Sequence, residues 1–101
     1  MYILMLAAEN GALPGGKVGG VGDVIRDVPK ALVKAGHEVT VITPGYQRFS
    51  KLPGACQVYT LTIDFCGSLE TIAIFQLEVA EKVSGITHVV IENPLFAACG
   101  E

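Results

Sequence analysis

Apolar positions along the chain follow more than one period. Tyr2 to Ala8 is an almost continuous apolar run, as a strand buried on both faces would show. Val21, Val24, Ile25, Val28, Ala31, Leu32 and Ala35 then recur at steps of three and four, which puts them on one stripe of a helix; Asp23, Arg26, Asp27, Lys30 and Lys34 take the other side. Pro29 falls inside this pattern. An interior proline loses a hydrogen bond and costs about 3 kcal/mol, so either a new turn starts there or, because the stripe runs through it, the helix kinks. The kink is the expectation. Gly36 is placed to end the helix, and Glu38 to Thr43 alternates into a second strand stopped by Pro44. A β-α-β unit results, which is right-handed as a rule.

Gly45 to Pro53 reads as a polar loop carrying Tyr46, Arg48 and Lys51. Cys56 to Phe65 and Glu70 to Val79 or beyond read as strands joined at Gly67-Ser68, a connection so short that only an antiparallel hairpin accommodates it. Ile86 to Ile91 is a last strand, ended by Glu92-Asn93-Pro94, and Leu95 to Glu101 predict no element. The fold class is therefore α/β, a Rossmann-like β-α-β start whose mostly parallel sheet carries a β-hairpin.

Composition narrows the picture. A chain of 101 residues makes one small domain and buries only about two-thirds of its unfolded surface. Half of the residues are hydrophobic and 17% are charged, which implies a sheet covered on both faces or a surface meant for a missing partner. An exposed hydrophobic edge, and with it self-association, is expected. The net charge of −3 gives no footprint for nucleic acid or for an anionic membrane. Cys56, Cys66 and Cys99 contain no CxxC pair, so they form neither a zinc template nor a closed disulfide set. Buried free thiols in a reducing cytoplasm are expected. Met1 to Ala8 lacks the basic start of a signal peptide and runs into Glu9 and Asn10, and no stretch reaches the roughly eighteen apolar residues of a membrane span.

The chemistry gathers at Gly15 to Val24, where the first strand turns into the helix. Five glycines let backbone approach a ligand, the helix start offers unpaired N–H groups, and Lys17 adds a charge, so the stretch is an anion-binding candidate. Glu9 stands beside it at the carboxyl edge of the sheet, where open α/β sheets bind ligands. Gly11 to Lys17 fits the start of a P-loop, but Val18 stands where the magnesium-binding hydroxyl belongs. A dinucleotide fingerprint fails because Gly20 and Gly22 are followed by Ile25, and because the second strand ends in Thr43 rather than an acid. A glycine turn that only lets helix and strand pack closely stays open. His37 and His88 stand alone without a carboxylate pattern, so no metal is expected.

Lys17-Val18-Gly19-Gly20-Val21-Gly22-Asp23-Val24, preceded by Ala8-Glu9 and followed by Pro29-Lys30-Ala31-Leu32 and Gly36-His37-Glu38-Val39, resembles the amino terminus of bacterial glycogen synthases and plant starch synthases. The resemblance continues at Thr43-Pro44-Gly45-Tyr46 and at Ile91-Glu92-Asn93-Pro94-Leu95-Phe96, and is thin between Cys56 and Val83. The stretch from Glu9 to Lys17 is two residues longer than the usual form, and Val21 replaces the commoner leucine.

The resemblance implies a GT-B glycosyltransferase with two Rossmann-like domains. Such an enzyme moves glucose from ADP-glucose, or UDP-glucose, to the non-reducing end of an α-1,4-glucan with retention and without metal. It implies that Lys17 and the amides around Gly19 and Gly20 stabilise the diphosphate, and that Glu9 and Asp23 line the sugar and glucan side. The chemistry agrees: charge develops on the leaving oxygen, and without magnesium only cations, N–H groups and a helix terminus offset it. A lysine about 4 Å from a phosphate oxygen gains on the order of 4 kcal/mol gross at an effective dielectric of 20.

Plainer roles exist for each residue. Lys17 can be a solvated loop lysine, Glu9 can accept a loop amide, Asp23 can complement the helix dipole, and Arg26, Lys30 and Lys34 can form a solvated face. Tyr46 and Arg48 lie where they could touch glucan. The chain supplies only the first half of the family's amino-terminal domain and lacks the carboxyl-terminal domain with most nucleotide contacts, so alone it is expected to be inactive. The alternatives are a stand-alone binding or oligomerising module and a degenerate P-loop protein.

Overall fold

A computed structural model describes residues 1–13, 19–79 and 83–94. Lys17 and Val18 of the glycine-rich stretch, Leu95, Phe96 and Cys99 lie outside them. The elements are β1 (Tyr2–Leu6), α1 (Gly20–Lys34), β2 (Glu38–Pro44), a short 3-10 turn (Phe49–Lys51), β3 (Cys56–Phe65), β4 (Ser68–Leu77) and β5 (Ile86–Glu92). They form one five-stranded sheet in the order β1-β2-β5-β4-β3. β1·β2 and β2·β5 pair parallel, while β5·β4 and β4·β3 pair antiparallel.

Strand register sorts the side chains into two faces, because successive residues alternate. Tyr2 pairs with Glu38 and Val39 with Ile86, so Ile3, Met5, Val39, Val41, Ile86, His88, Val90 and Glu92 share one face. Two apolar clusters cover it. Ile25 of α1 packs with Val39 and Val41, against Ile3, Met5, Ala7, Leu32 and Val33. Leu13, Phe49, Leu77 and Val90 form the second, beneath the loop that follows β2. On the opposite face of β1, Tyr2, Leu4 and Leu6 are 66%, 56% and 72% exposed. Among the described residues no helix packs there.

Three expectations are corrected. The core stripe of α1 is Gly22, Ile25, Pro29, Leu32 and Val33, whereas Val21, Val24 and Val28 face outward. Apolar residues wrap most of this helix, so spacing alone does not say which stripe meets the sheet. The hairpin turns at Cys66-Gly67 rather than Gly67-Ser68: φ is 54° and 81° there, and Phe65 pairs with Ser68. This is the two-residue turn whose positive φ angles match strand twist. Cys56 and Cys66 are free thiols, as expected, but exposed rather than buried, since they sit at the start and tip of a hairpin with little covering it. α1 itself is continuous through the buried Pro29, so no new helix starts there.

Candidate functional site

The carboxyl rim of the three parallel strands gathers the segments 7–13, 45–52 and 92–93. At its centre is the start of α1. The N-cap, Gly19, is extended and has no side chain to cap with. Glu9, just beyond β1, supplies the missing acceptor: its carboxylate takes the Gly19 N–H at 3.0 and 3.1 Å through its two oxygens, and the Gly22 N–H through Oε1. A neighbouring segment thus satisfies two of the helix's orphan donors and places negative charge on the positive end of its dipole. Of the two roles open to Glu9, acceptance of loop amides is the one seen in the geometry.

The glycines of this region divide by what surrounds them. A Cβ on Gly11 would lie 2.5 Å from the Gly22 carbonyl oxygen, to which the Gly11 N–H donates at 2.9 Å. Gly11 is therefore required by close packing of loop on helix. Among the described residues, a Cβ on Gly20 would meet nothing within 4 Å, and one on Gly19 only Glu9 Oε1 at 3.8 Å. Packing against the described residues requires neither of these two glycines at the head of the helix. Asp23, in the first turn, pairs with Arg26 at 3.2 Å. Arg26 also bonds Asp27 at 2.9 and 3.1 Å, and the guanidinium holds the Asp27 carboxyl below the usual carboxylate range.

Glu92, which sequence reasoning treated only as a strand terminator, organises the rim's second side. Its buried carboxylate accepts the Gln47 N–H at 2.8 Å and the Ser50 hydroxyl. It also fills the space beside Gly45, where a Cβ would come within 2.3–2.6 Å of the carboxyl group. Tyr46 and Gln47 adopt left-handed φ values of 52° and 59°, and the Tyr46 hydroxyl donates to the Ala8 carbonyl. Arg48 lies over the Phe49 ring at 4.5 Å. The Asn93 amide donates to Glu70 and to the Thr71 carbonyl, both at 3.0 Å, tying the end of β5 to β4.

A further pair that sequence reasoning passed over lies beneath the rim. Asn10 is buried and its Oδ1 accepts the Ala12 N–H at 2.9 Å, which orients the amide so that its Nδ2 faces His88 Nδ1, also at 2.9 Å. Burial pushes the His88 pKa down, which favours the neutral ring, and donation from Asn10 Nδ2 to Nδ1 corresponds to the tautomer with its proton on Nε2. Alternation along β5 with Val90 and Glu92 was the available signal for the side His88 faces. Nothing in the sequence points from it to Asn10. Among the described residues no group of three or more His, Cys, Asp or Glu is placed to hold a metal ion, and no helix is long and apolar enough to cross a membrane.

Residues 2–100 match the family described as the starch synthase catalytic domain, and the chain belongs to that family. Glycogen synthases of Streptococcus pneumoniae strains Hungary19A-6 and CGSP14 are each 61% identical over 46 residues, which are 46% of this chain and 9% of theirs. The catalytic domain of Starch Synthase IV from Arabidopsis thaliana, bound to ADP and acarbose, superimposes with a TM-score of 0.72 at 29% identity, over 91% of this chain and 18% of that one. The resemblance to glycogen and starch synthases holds, and the sheet is the start of a GT-B amino-terminal domain. The chain spans only a small part of the relatives it matches.

Proposed function

We propose that this chain is the amino-terminal part of a cytoplasmic glycogen or starch synthase. The complete enzyme transfers glucose from ADP-glucose, or UDP-glucose, to the non-reducing end of an α-1,4-glucan with retention. Lys17 and the amides around Gly19 and Gly20 offset the charge that develops on the leaving diphosphate without metal, and Glu9 and Asp23 line the sugar and glucan side. The observation that carries this reading is the pair Gly19-Gly20 at the head of α1, glycines that packing against the described residues does not require. It is supported by the match over 91% of the chain to a relative that holds ADP and acarbose. Because Glu9 already takes the Gly19 N–H, a diphosphate oxygen at that amide has to replace it. The carboxyl-terminal domain supplies the remaining nucleotide contacts, so the 101 residues alone bind weakly and do not turn over.

Amide NMR titrations with ADP-glucose, UDP-glucose and ATP plus magnesium test the reading. The expected result is a magnesium-independent shift of Gly19 and Gly20 with a sugar nucleotide, and no transfer of labelled glucose to glycogen by the chain alone. Binding of ATP that requires magnesium would favour the degenerate P-loop and overturn the proposal. Reading the gene beyond Glu101 tests the same point independently: an open frame for a second Rossmann-like domain is expected, and an immediate stop codon favours a stand-alone module.

A further inference from the structure

The loop 9–13 joins two parts of the molecule. On one side it holds the head of α1: Glu9 accepts the Gly19 and Gly22 N–H groups, and the Gly11 N–H donates to the Gly22 carbonyl at 2.9 Å. On the other it reaches β5, through the bond from Asn10 Nδ2 to His88 Nδ1 at 2.9 Å. Both partners in that bond are shut away from water, Asn10 being 1% and His88 7% exposed.

This bond suits one protonation state only. Asn10 Oδ1 accepts the Ala12 N–H at 2.9 Å, which fixes the amide so that its NH2 group points at Nδ1, and Nδ1 has to be a bare acceptor. A proton on Nδ1 sets N–H against N–H. Turning the amide over gives that proton an acceptor but sets the NH2 group against the Ala12 N–H instead. Either arrangement leaves a buried donor unmatched, at a cost that water cannot relieve there. Among the described residues, β2 and β4 place Val41 and Leu77 beside His88 in register, and α1 presents Arg26 and Lys30, cations that have partners of their own. The carboxylates of the rim are engaged elsewhere, Glu9 with α1 and Glu92 with Gln47 and Ser50. Burial accordingly holds the His88 pKa below the usual imidazole value.

We propose that His88 is a proton-operated latch on the head of α1: neutral, it accepts from Asn10 and keeps the loop 9–13 and the Glu9 cap in place; protonated at Nδ1, it expels Asn10 and uncaps the helix. The unfolded chain takes up this proton more readily than the folded one. Stability therefore rises with pH between the folded midpoint and about pH 6.5, and is lost as pH falls through that window. The latch acts through the loop's own bonds, whatever the glycine-rich stretch binds.

The test is a pH titration of the 101-residue chain by NMR, reading the His88 ring nitrogens together with the Gly19 and Gly22 amides. At neutral pH the ring should show the tautomer protonated at Nε2. On acidification the two amides are expected to lose about tenfold in protection against hydrogen exchange, with the same midpoint as the His88 ring. Asn10→Asp replaces the NH2 group by an oxygen that accepts from a protonated Nδ1. It is expected to raise the His88 midpoint above about 6.5 and to keep both amides protected where the wild type loses them. His37→Gln, just before β2, should change neither midpoint. A ring that titrates while the amides stay protected would overturn the proposal. So would amides that lose protection at the wild-type midpoint in Asn10→Asp, because the cap then answers to another group. The wild-type titration decides the first point without any variant having to fold.

Discussion

Glu9 does for α1 what its own N-cap residue cannot. Removing it leaves the Gly19 amide without its acceptor and the Gly22 amide with only the Gly19 carbonyl at 3.2 Å, so Glu9→Ala is expected to cost about 1–2 kcal/mol in urea unfolding, the usual worth of a side-chain cap. Glu9→Gln should cost less, because the amide oxygen still accepts but brings no charge to the dipole. Gly45 is constrained differently. Its neighbour is the tip of a side chain, normally able to move, but the Glu92 carboxylate is held by Gln47 and Ser50. Gly45→Ala must displace that carboxylate from its partners, with an expected loss of about 2–3 kcal/mol by the same measurement. Glu9 was legible as a residue at the sheet edge beside a glycine-rich turn, and so was its capacity to accept an amide. Asn10 and His88 were not, because they are 78 positions apart and meet only once strand register is known.

Element types followed from periodicity because strands and helix differ so clearly in period: the run at β1, the alternation in β2 and the three-and-four spacing in α1 each name one structure. Which face of α1 is inside did not follow. Val21, Val24 and Val28 are as apolar as the residues beneath them, and only the sheet decides. The hairpin tip shows a second limit. Cys66 holds a left-handed φ of 54°, a conformation its side chain disfavours, so the turn could not be placed from residue preferences. Asparagine tolerates that conformation, and Asn-Gly is a preferred pair for such a turn. Cys66→Asn is therefore expected to stabilise the chain by about 0.5–1 kcal/mol, read as a rise in the denaturation midpoint without a change in slope. An unchanged midpoint would mean that the hairpin does not unfold with the core.

At the scale of the molecule, α1 and the loop after β2 cover one face of the sheet while β1, an edge strand, presents Tyr2, Leu4 and Leu6 on the other. Apolar surface of this kind favours association. The chain by itself is expected to self-associate at hundreds of micromolar, and Leu4→Lys with Leu6→Lys to return it to a monomer in sedimentation velocity; a wild-type chain that stays monomeric would refute this. The rim has the opposite character. The Tyr46 hydroxyl fastens the β2 loop to Ala8, and Glu92 fastens Gln47 and Ser50 to the end of β5. The loss of backbone freedom between Gly45 and Ser50 is thus incurred on folding, once. A ligand that settles against this loop meets a shape already set, so its dissociation rate reports the strength of the contacts rather than the time the loop takes to reorder.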